Sequence, residues 1–501
     1  MFTSLSHLFV ACISTLSFTL ACYRTEPPKP ESPLATTEEE AVFFEAAPPL
    51  DAQSDEALVT VRRLDREGRD SDGSGGQLAQ LPASEHLRRA AIYIANRAFA
   101  EAREHWRAII ERHPEHENVP AALFGMGRSL YQERRYTEAL PFFERLGQQY
   151  LQLKEGREGF YYVAATQLRN GRAAEAAERY GDYALRFPEG ERVENAYLNA
   201  IDSWREANRP AEALQWIDRT RARFKGTAAD TNALFARLRL RVSSGDWQSA
   251  IRDTDELRAG AFPATALTTL PEVLYLRAYS LERAGQTAQA LGAYQTVGDK
   301  ASSYYGALAT ARLANLGAAG KKIATMRNSV VRREAEAASG NYPIPFRETI
   351  LRAVQGKNVD ARFVLAIMRQ ESSFKPRARS QAAARGLLQL TMDAATRYAP
   401  PAGIKNFTEE DLYRPEINIP LGVAYLAELF GKFPNLPEAV SASYNGGEDN
   451  VERWVRRAGQ QDNGVFTSEI GFTESKDYAM KVMANYRAYR LLYTADLRRQ
   501  R

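Results

Sequence analysis

Between residues 84 and 316 apolar side chains return every three or four positions, in blocks separated by short polar turns. That period predicts pairs of amphipathic helices, each burying one stripe. One phrase recurs through the region: Arg97-Ala-Phe-Ala-Glu-Ala102, Arg135-Tyr-Thr-Glu-Ala139, Arg172-Ala-Ala-Glu-Ala176, Arg209-Pro-Ala-Glu-Ala213, Asp246-Trp-Gln-Ser-Ala250 and Gln286-Thr-Ala-Gln-Ala290. Aligned on the last alanine, the steps are 37, 37, 37, 37 and 40 residues. The alanine lets two helices approach closely, and Trp106, Phe143, Tyr180, Ile217 and Tyr294, each four residues further on, fill the space between units. A stripe of aromatics could also stack on sugars, but a fixed place within each unit favours core packing. A second helical stripe runs through Phe363, Val364, Ile367 and Met368 behind Asp360, a candidate N-cap. Glu371 continues that stripe, where desolvation would favour its neutral, proton-donating form. Taken singly, an exposed helix-end glutamate accounts for Glu371 equally well.

The repeat resembles the tetratricopeptide type, slightly longer per unit than the usual ~34 residues, and its concave face is expected to guide a strand or take a protein partner. The expected fold is mainly α: a helical solenoid over residues 84–316, a helical linker over 317–341, and a further α-rich domain over 342–501.

That last domain is where the residues resemble a family. Glu371-Ser372-Ser373-Phe374, then Ser380, Gly386-Leu387-Leu388-Gln389-Leu390, Asn418-Ile419-Pro420-Leu421-Gly422 with Tyr425-Leu426, Ser443-Tyr444-Asn445-Gly446-Gly447 and Phe472-Thr473-Glu474-Ser475-Lys476-Asp477-Tyr478 resemble, in order and spacing, the motifs of lytic transglycosylases with a goose-type lysozyme fold. Ser303-Tyr304-Tyr305-Gly306 resembles the linker of the large members with a superhelical N-terminal part. The resemblance implies cleavage of the β-1,4 bond between N-acetylmuramic acid and N-acetylglucosamine in peptidoglycan, leaving 1,6-anhydro ends. Glu371 would serve as sole acid and then base. By the same resemblance Ser380 would hydrogen-bond near the reacting sugar and Gln389 would hold a sugar or its N-acetyl group. Tyr444 would offer a hydroxyl and a ring face beside the acid, and Asn445 would organise the turn. Glu474 and Tyr478 would line the opposite wall, Glu474 either touching substrate or holding that wall. Asn418 is expected to cap or turn the chain before the helix of Tyr425. Ser443, Gly446, Ser475 and Lys476 depart from the family pattern without removing the acid.

The N-terminus adds a targeting signal. Residues 8–21 form an apolar run too short to span a bilayer, and Thr19-Leu20-Ala21-Cys22 resembles a lipoprotein cleavage site. Residues 1–22 are therefore expected to be a signal peptide, with export to the periplasm and lipidation of Cys22 anchoring the chain to a membrane; cleavage without a lipid is the alternative. Residues 23–82 are rich in Pro, Ser, Gly and acidic residues and are expected to be a flexible tether, with Ala41-Val42-Phe43-Phe44 as an apolar exception. Composition is that of an ordinary globular protein, 44% hydrophobic and 26% charged, and a net charge of +4 over 501 residues does not suggest a nucleic-acid binder. Cys12 and Cys22 are the only cysteines, so the folded part has neither a disulfide nor a thiolate metal site. The five histidines form no ligand set, and no metal or cofactor is expected. Two other readings stay open at this stage: a hydrolytic muramidase using Glu474 or Asp477 to activate water, and a solenoid-based interaction protein with a vestigial catalytic domain.

Overall fold

A computed structural model of the chain describes residues 50–71, 77–459 and 462–500. Among them are twenty-three α-helices and no strand, so the chain is mainly α. Six antiparallel pairs, from Ala83–Ala95 with Phe99–Arg112 through to Leu270–Arg283 with Thr287–Thr296, stack as the solenoid. The recurring alanines, Ala102, Ala139, Ala176, Ala213, Ala250 and Ala290, are fully buried where helices cross. Trp106, Phe143, Tyr180, Ile217 and Tyr294 are buried as well, so the stripe is core.

Within all six pairs the turn is built the same way. The amides of Ala98, Arg135, Arg172, Arg209, Asp246 and Gln286 each donate to the carbonyl five residues back, the Schellman closure of a helix C-terminus. The residue before each is left-handed: Arg97 at φ +57°, Arg134 at +62°, Gly171 at +79°, Asn208 at +54°, Gly245 at +74° and Gly285 at +76°. Their regular spacing is the repeat seen from the backbone.

The expected tether is corrected in part. Within residues 23–82 lies the 17-residue helix Asp55–Ser71, which buries Leu58 and Val61 against the first solenoid pair. Only Leu58 and Val61 of its apolar side chains are fully buried. What holds it down is polar: Asp65, buried, accepts from Arg89 at 2.5 Å, from His105 Nε2 at 3.0 Å and from the Tyr93 hydroxyl. The remainder of the expected tether that precedes residue 50, the signal segment, Cys22 and the 41–44 patch all lie outside the described residues.

Beyond the solenoid, Tyr304–Leu313 and Gly317–Ala337 lead into the C-terminal half. Its centre is the helix Ala361–Ser372, buried from Phe363 to Met368 and packed on the long last helix Thr473–Leu492. The N-terminal helix and the end of the solenoid both lie along this half: Arg62 pairs with Glu409 at 3.1 Å, and Asp299, just after the last solenoid pair, with Arg487 at 2.6 Å. Between them, Arg205 and Arg239 close on the buried Glu469, Arg205 at 2.6 Å. A lone carboxylate at that depth would not stay charged. Three guanidinium groups, with Arg457 the third, hold Glu469 at about 2 against the pull of burial.

Candidate active site

Asp360 caps the central helix, its carboxylate accepting from the Arg362 amide at 2.8 Å. The helix ends because Ser373 and Phe374 are both left-handed, at φ +48° and +64°; two such residues in succession turn the chain away immediately after Glu371. Ser372 fixes that turn by donating to the Leu387 carbonyl at 2.8 Å. Glu371 is thereby left at the last turn of a buried helix and is only 3% exposed. Its Oε1 accepts from the Tyr478 hydroxyl at 2.5 Å, and its Oε2 has no hydrogen-bond partner among the described residues. Burial pushes the Glu371 carboxyl well above the usual range; the Tyr478 bond works against this, and the charge of Glu474 adds to it.

Residues 378–390 fold into a tight loop, with bridges from Arg385 to Arg379 and Leu390. Gly386, at φ +81°, lies so close to the Leu412 carbonyl that a Cβ would meet it at 2.2 Å. Asn418 brackets the same loop from the helix Pro415–Lys432. Its Oδ1 accepts from the Leu388 amide at 2.8 Å, and its Nδ2 donates to the carbonyls of Arg385 at 2.9 Å and Leu412 at 2.8 Å. A buried amide that satisfies three backbone groups fixes loop shape. Ser380 is also engaged inside the loop: buried, its Oγ accepts from the Ala384 amide at 3.1 Å. Gln389 is left-handed, and its Nε2 donates to the carbonyls of Gly386 at 2.7 Å and Ala378 at 3.1 Å.

Tyr444 comes from the end of the helix Pro437–Gly446 and donates to the Leu388 carbonyl at 2.7 Å. Its ring stacks on Tyr425 at 5.0 Å, and Tyr425 on Tyr398 at 4.6 Å. Asn445 accepts from Ser475 Oγ at 2.6 Å and donates to Glu474 at 3.5 Å, tying the 443–447 turn to the start of the last helix. Gln389, Tyr444 and Asn445 line one wall of a groove of about 640 Å³ whose other wall is solenoid, including Arg134, Tyr136 and Tyr131. Tyr478 and Glu371 sit deeper than that wall, both buried; Glu474 lines a smaller cavity of about 150 Å³ on the other side of Phe472. Glu371, Tyr444, Tyr478 and Glu474 are thus near neighbours electrostatically, whereas Ser380 faces its own loop.

Sequence reasoning missed two residues that shape this site. Arg385, 1% exposed, reaches Asp55 of the N-terminal helix, which also accepts from Tyr413 at 3.1 Å and lies 3.4 Å from Arg379. Glu448, 3% exposed, directly follows Gly447 and pairs with Arg134 of the solenoid. The available signal was a charged residue inside each otherwise small or neutral motif.

A buried acid with a raised pKa, set behind the wall of a groove in an all-helical domain on a repeat solenoid, can be compared with known proteins. Residues 348–466 match the family described as Transglycosylase SLT domain, and residues 87–150 and 272–303 match Tetratricopeptide repeat families. Among individual relatives, a putative soluble lytic murein transglycosylase of Haemophilus influenzae is 37% identical over 169 residues, 34% of this chain and 28% of that protein. The soluble lytic murein transglycosylase of Escherichia coli K12 is 32% identical over 157 residues, 31% of this chain and 24% of that one. The matched stretch spans roughly a quarter of these relatives' length. An inactive mutant of lytic transglycosylase Slt from Pseudomonas aeruginosa aligns in structure over 87% of this chain and 85% of its own, at 18% identity and a TM-score of 0.47.

Proposed function

We propose that the chain is a lytic transglycosylase of peptidoglycan, cleaving between N-acetylmuramic acid and N-acetylglucosamine with Glu371 as sole acid and base. The observation that carries this reading is the Glu371 carboxyl: buried, raised in pKa, held at one oxygen by Tyr478 and with the other oxygen left to carry a proton. That proton passes to the glycosidic oxygen as the C1–O bond breaks and its electron pair goes to the leaving sugar. The carboxylate so formed, stabilised by the Tyr478 hydroxyl, takes the proton of the muramoyl C6 hydroxyl as that oxygen closes onto C1. No water is consumed, and Glu371 ends protonated, ready for the next bond. An internal nucleophile so placed has an effective concentration of ~10⁵ M or more, which favours closure over attack by water. Gln389, Tyr444 and Asn445 shape the wall against which the glycan lies; since the Gln389 amide and the Tyr444 hydroxyl already donate to backbone, the tyrosine's part is its ring face.

Hydrolysis would need a second carboxylate to activate water. Asp477 is a poor candidate, because its electrostatic neighbours are Lys481, Lys476 and Glu272 rather than Glu371. Glu474 is tied to Asn445 and serves better by keeping Glu371 protonated. The apolar run before Cys22 supports export to the periplasm, with a lipid on Cys22 as membrane anchor. Mass spectrometry of digested sacculi tests the chemistry. Products lighter by one water than reducing ends are expected from wild type and none from Glu371→Gln; reducing ends alone would reject the mechanism.

A further inference from the structure

Six solenoid turns share one backbone conformation, and the left-handed position within it is filled by Gly171, Asn208, Gly245 and Gly285 in four of them. Those are the residue types that tolerate a positive φ. In the other two the position holds arginine, whose Cβ is strained there: Arg97 and Arg134. Both guanidinium groups reach the C-terminal half, that of Arg97 while also lying over the solenoid ring of Phe99. Arg97 makes a two-point contact with Asp393, at 3.3 and 3.2 Å, four residues after Gln389. Arg134 pairs with Glu448 and, at 3.1 Å, with Asp449, immediately after Gly447. Tyr136, two residues further on, donates to Asp449 at 3.0 Å. Strain maintained at two places, both facing motifs that line the groove, calls for a function.

The two contacts differ in weight. Asp393 has a side chain 53% exposed, so water can replace Arg97. Glu448 is 3% exposed, and its charge acts on Tyr425, the ring on which Tyr444 is stacked, and on Tyr398 beyond it. The Arg134 guanidinium also packs over Gly447, where an added Cβ would lie 3.4 Å from Nη2.

We propose that Arg134 is a positioning residue of the active site, contributed in cis by the second solenoid repeat: through Glu448 it holds the 443–447 turn so that Tyr444 and Asn445 form the groove wall. This rests on the reading that the groove is where glycan is cleaved. The substitution Arg134→Asn puts at this turn the residue found at position 208, relieving the strain and removing the clamp. The expected result is a somewhat lower melting temperature, because the buried Glu448 loses its partner, a 10- to 100-fold fall in kcat on sacculi well below the melting transition, of the order a small misplacement produces, and faster amide exchange over residues 443–450. Adding Glu448→Gln, which removes the charge left unpaired, should recover part of kcat. Asn208→Gly, in a turn remote from the groove, should change none of these. Wild-type kcat and exchange in Arg134→Asn would overturn the proposal, and so would a loss of activity that disappears at temperatures well below the variant's melting transition. Amide exchange is read without substrate, so a chain that released no anhydro products would sink the proposed function while leaving the clamp measurable.

Discussion

Glu371→Gln should abolish cleavage and at the same time make the protein more stable at neutral pH. The wild-type carboxyl is buried and its pKa is raised in the folded state above the ordinary 4.5. Between those two values the native state holds a proton that the unfolded chain has released. Stability therefore falls as pH rises from about 4.5 through the folded pKa, and is undiminished only below that window. Each unit of displacement costs the wild type about 1.4 kcal/mol at pH above both values. Glutamine is a fair copy of the protonated acid, because Tyr478 can still donate to its oxygen and its NH₂ occupies the place of Oε2, which lacks a partner among the described residues in wild type too. The substitution thus removes the charge penalty and little else. For a cooperative unit of 150–250 residues, each kcal/mol recovered raises the melting temperature by about 2–4 °C. Thermal unfolding followed by circular dichroism at pH 7 and pH 4 measures this. The variant should melt several degrees higher at pH 7, and the two curves should converge at pH 4. A variant no more stable than wild type at pH 7, or a gain that persists at pH 4, would refute the assignment of Glu371 as a strained, buried acid.

Three further outcomes are expected. In the pH profile of kcat/KM, Tyr478→Phe should move the alkaline limb to higher pH, since it removes a bond that favours the carboxylate, and Glu474→Gln should move it lower, since it removes a repelling charge; movement in the same direction would contradict the site electrostatics. Asn418→Ala strips three buried hydrogen bonds from the 378–390 loop and its surroundings and should cost about 3 kcal/mol or more in urea unfolding, with cleavage lost alongside. Asp55→Asn leaves the buried Arg385 without its carboxylate; because the Asp55 side chain is 34% exposed, the cost should be about 1–3 kcal/mol rather than the 3–5 of a fully buried pair, and Arg385→Met in the same chain should return part of it.

The two segments that pack by a stripe were legible one residue at a time. Ala102 through Ala290 and their partners four residues on could be placed in the core from their spacing, as could Phe363 to Met368 leading to Glu371. The helix Asp55–Ser71 was not, because it buries little apolar surface and is held by Asp65 meeting Arg89, Tyr93 and His105 from elsewhere in the chain. Asn418 was expected to cap or turn the chain, but sits within its helix and reaches back to a loop some thirty residues earlier. The bond that the Ser380 hydroxyl accepts from the Ala384 amide was not legible in the sequence either.

Local periodicity determined the stripe-bearing helices and the repeat, because a stripe of apolar residues must be covered by something wherever it falls; the burial of Glu371 at the end of such a stripe was left open by it. Which carboxylate meets which arginine depends on segments hundreds of residues apart, and no local rule encodes that distance. Asp55 with Arg385, Arg134 with Glu448 and Arg205 with Glu469 were therefore decided by the tertiary structure alone.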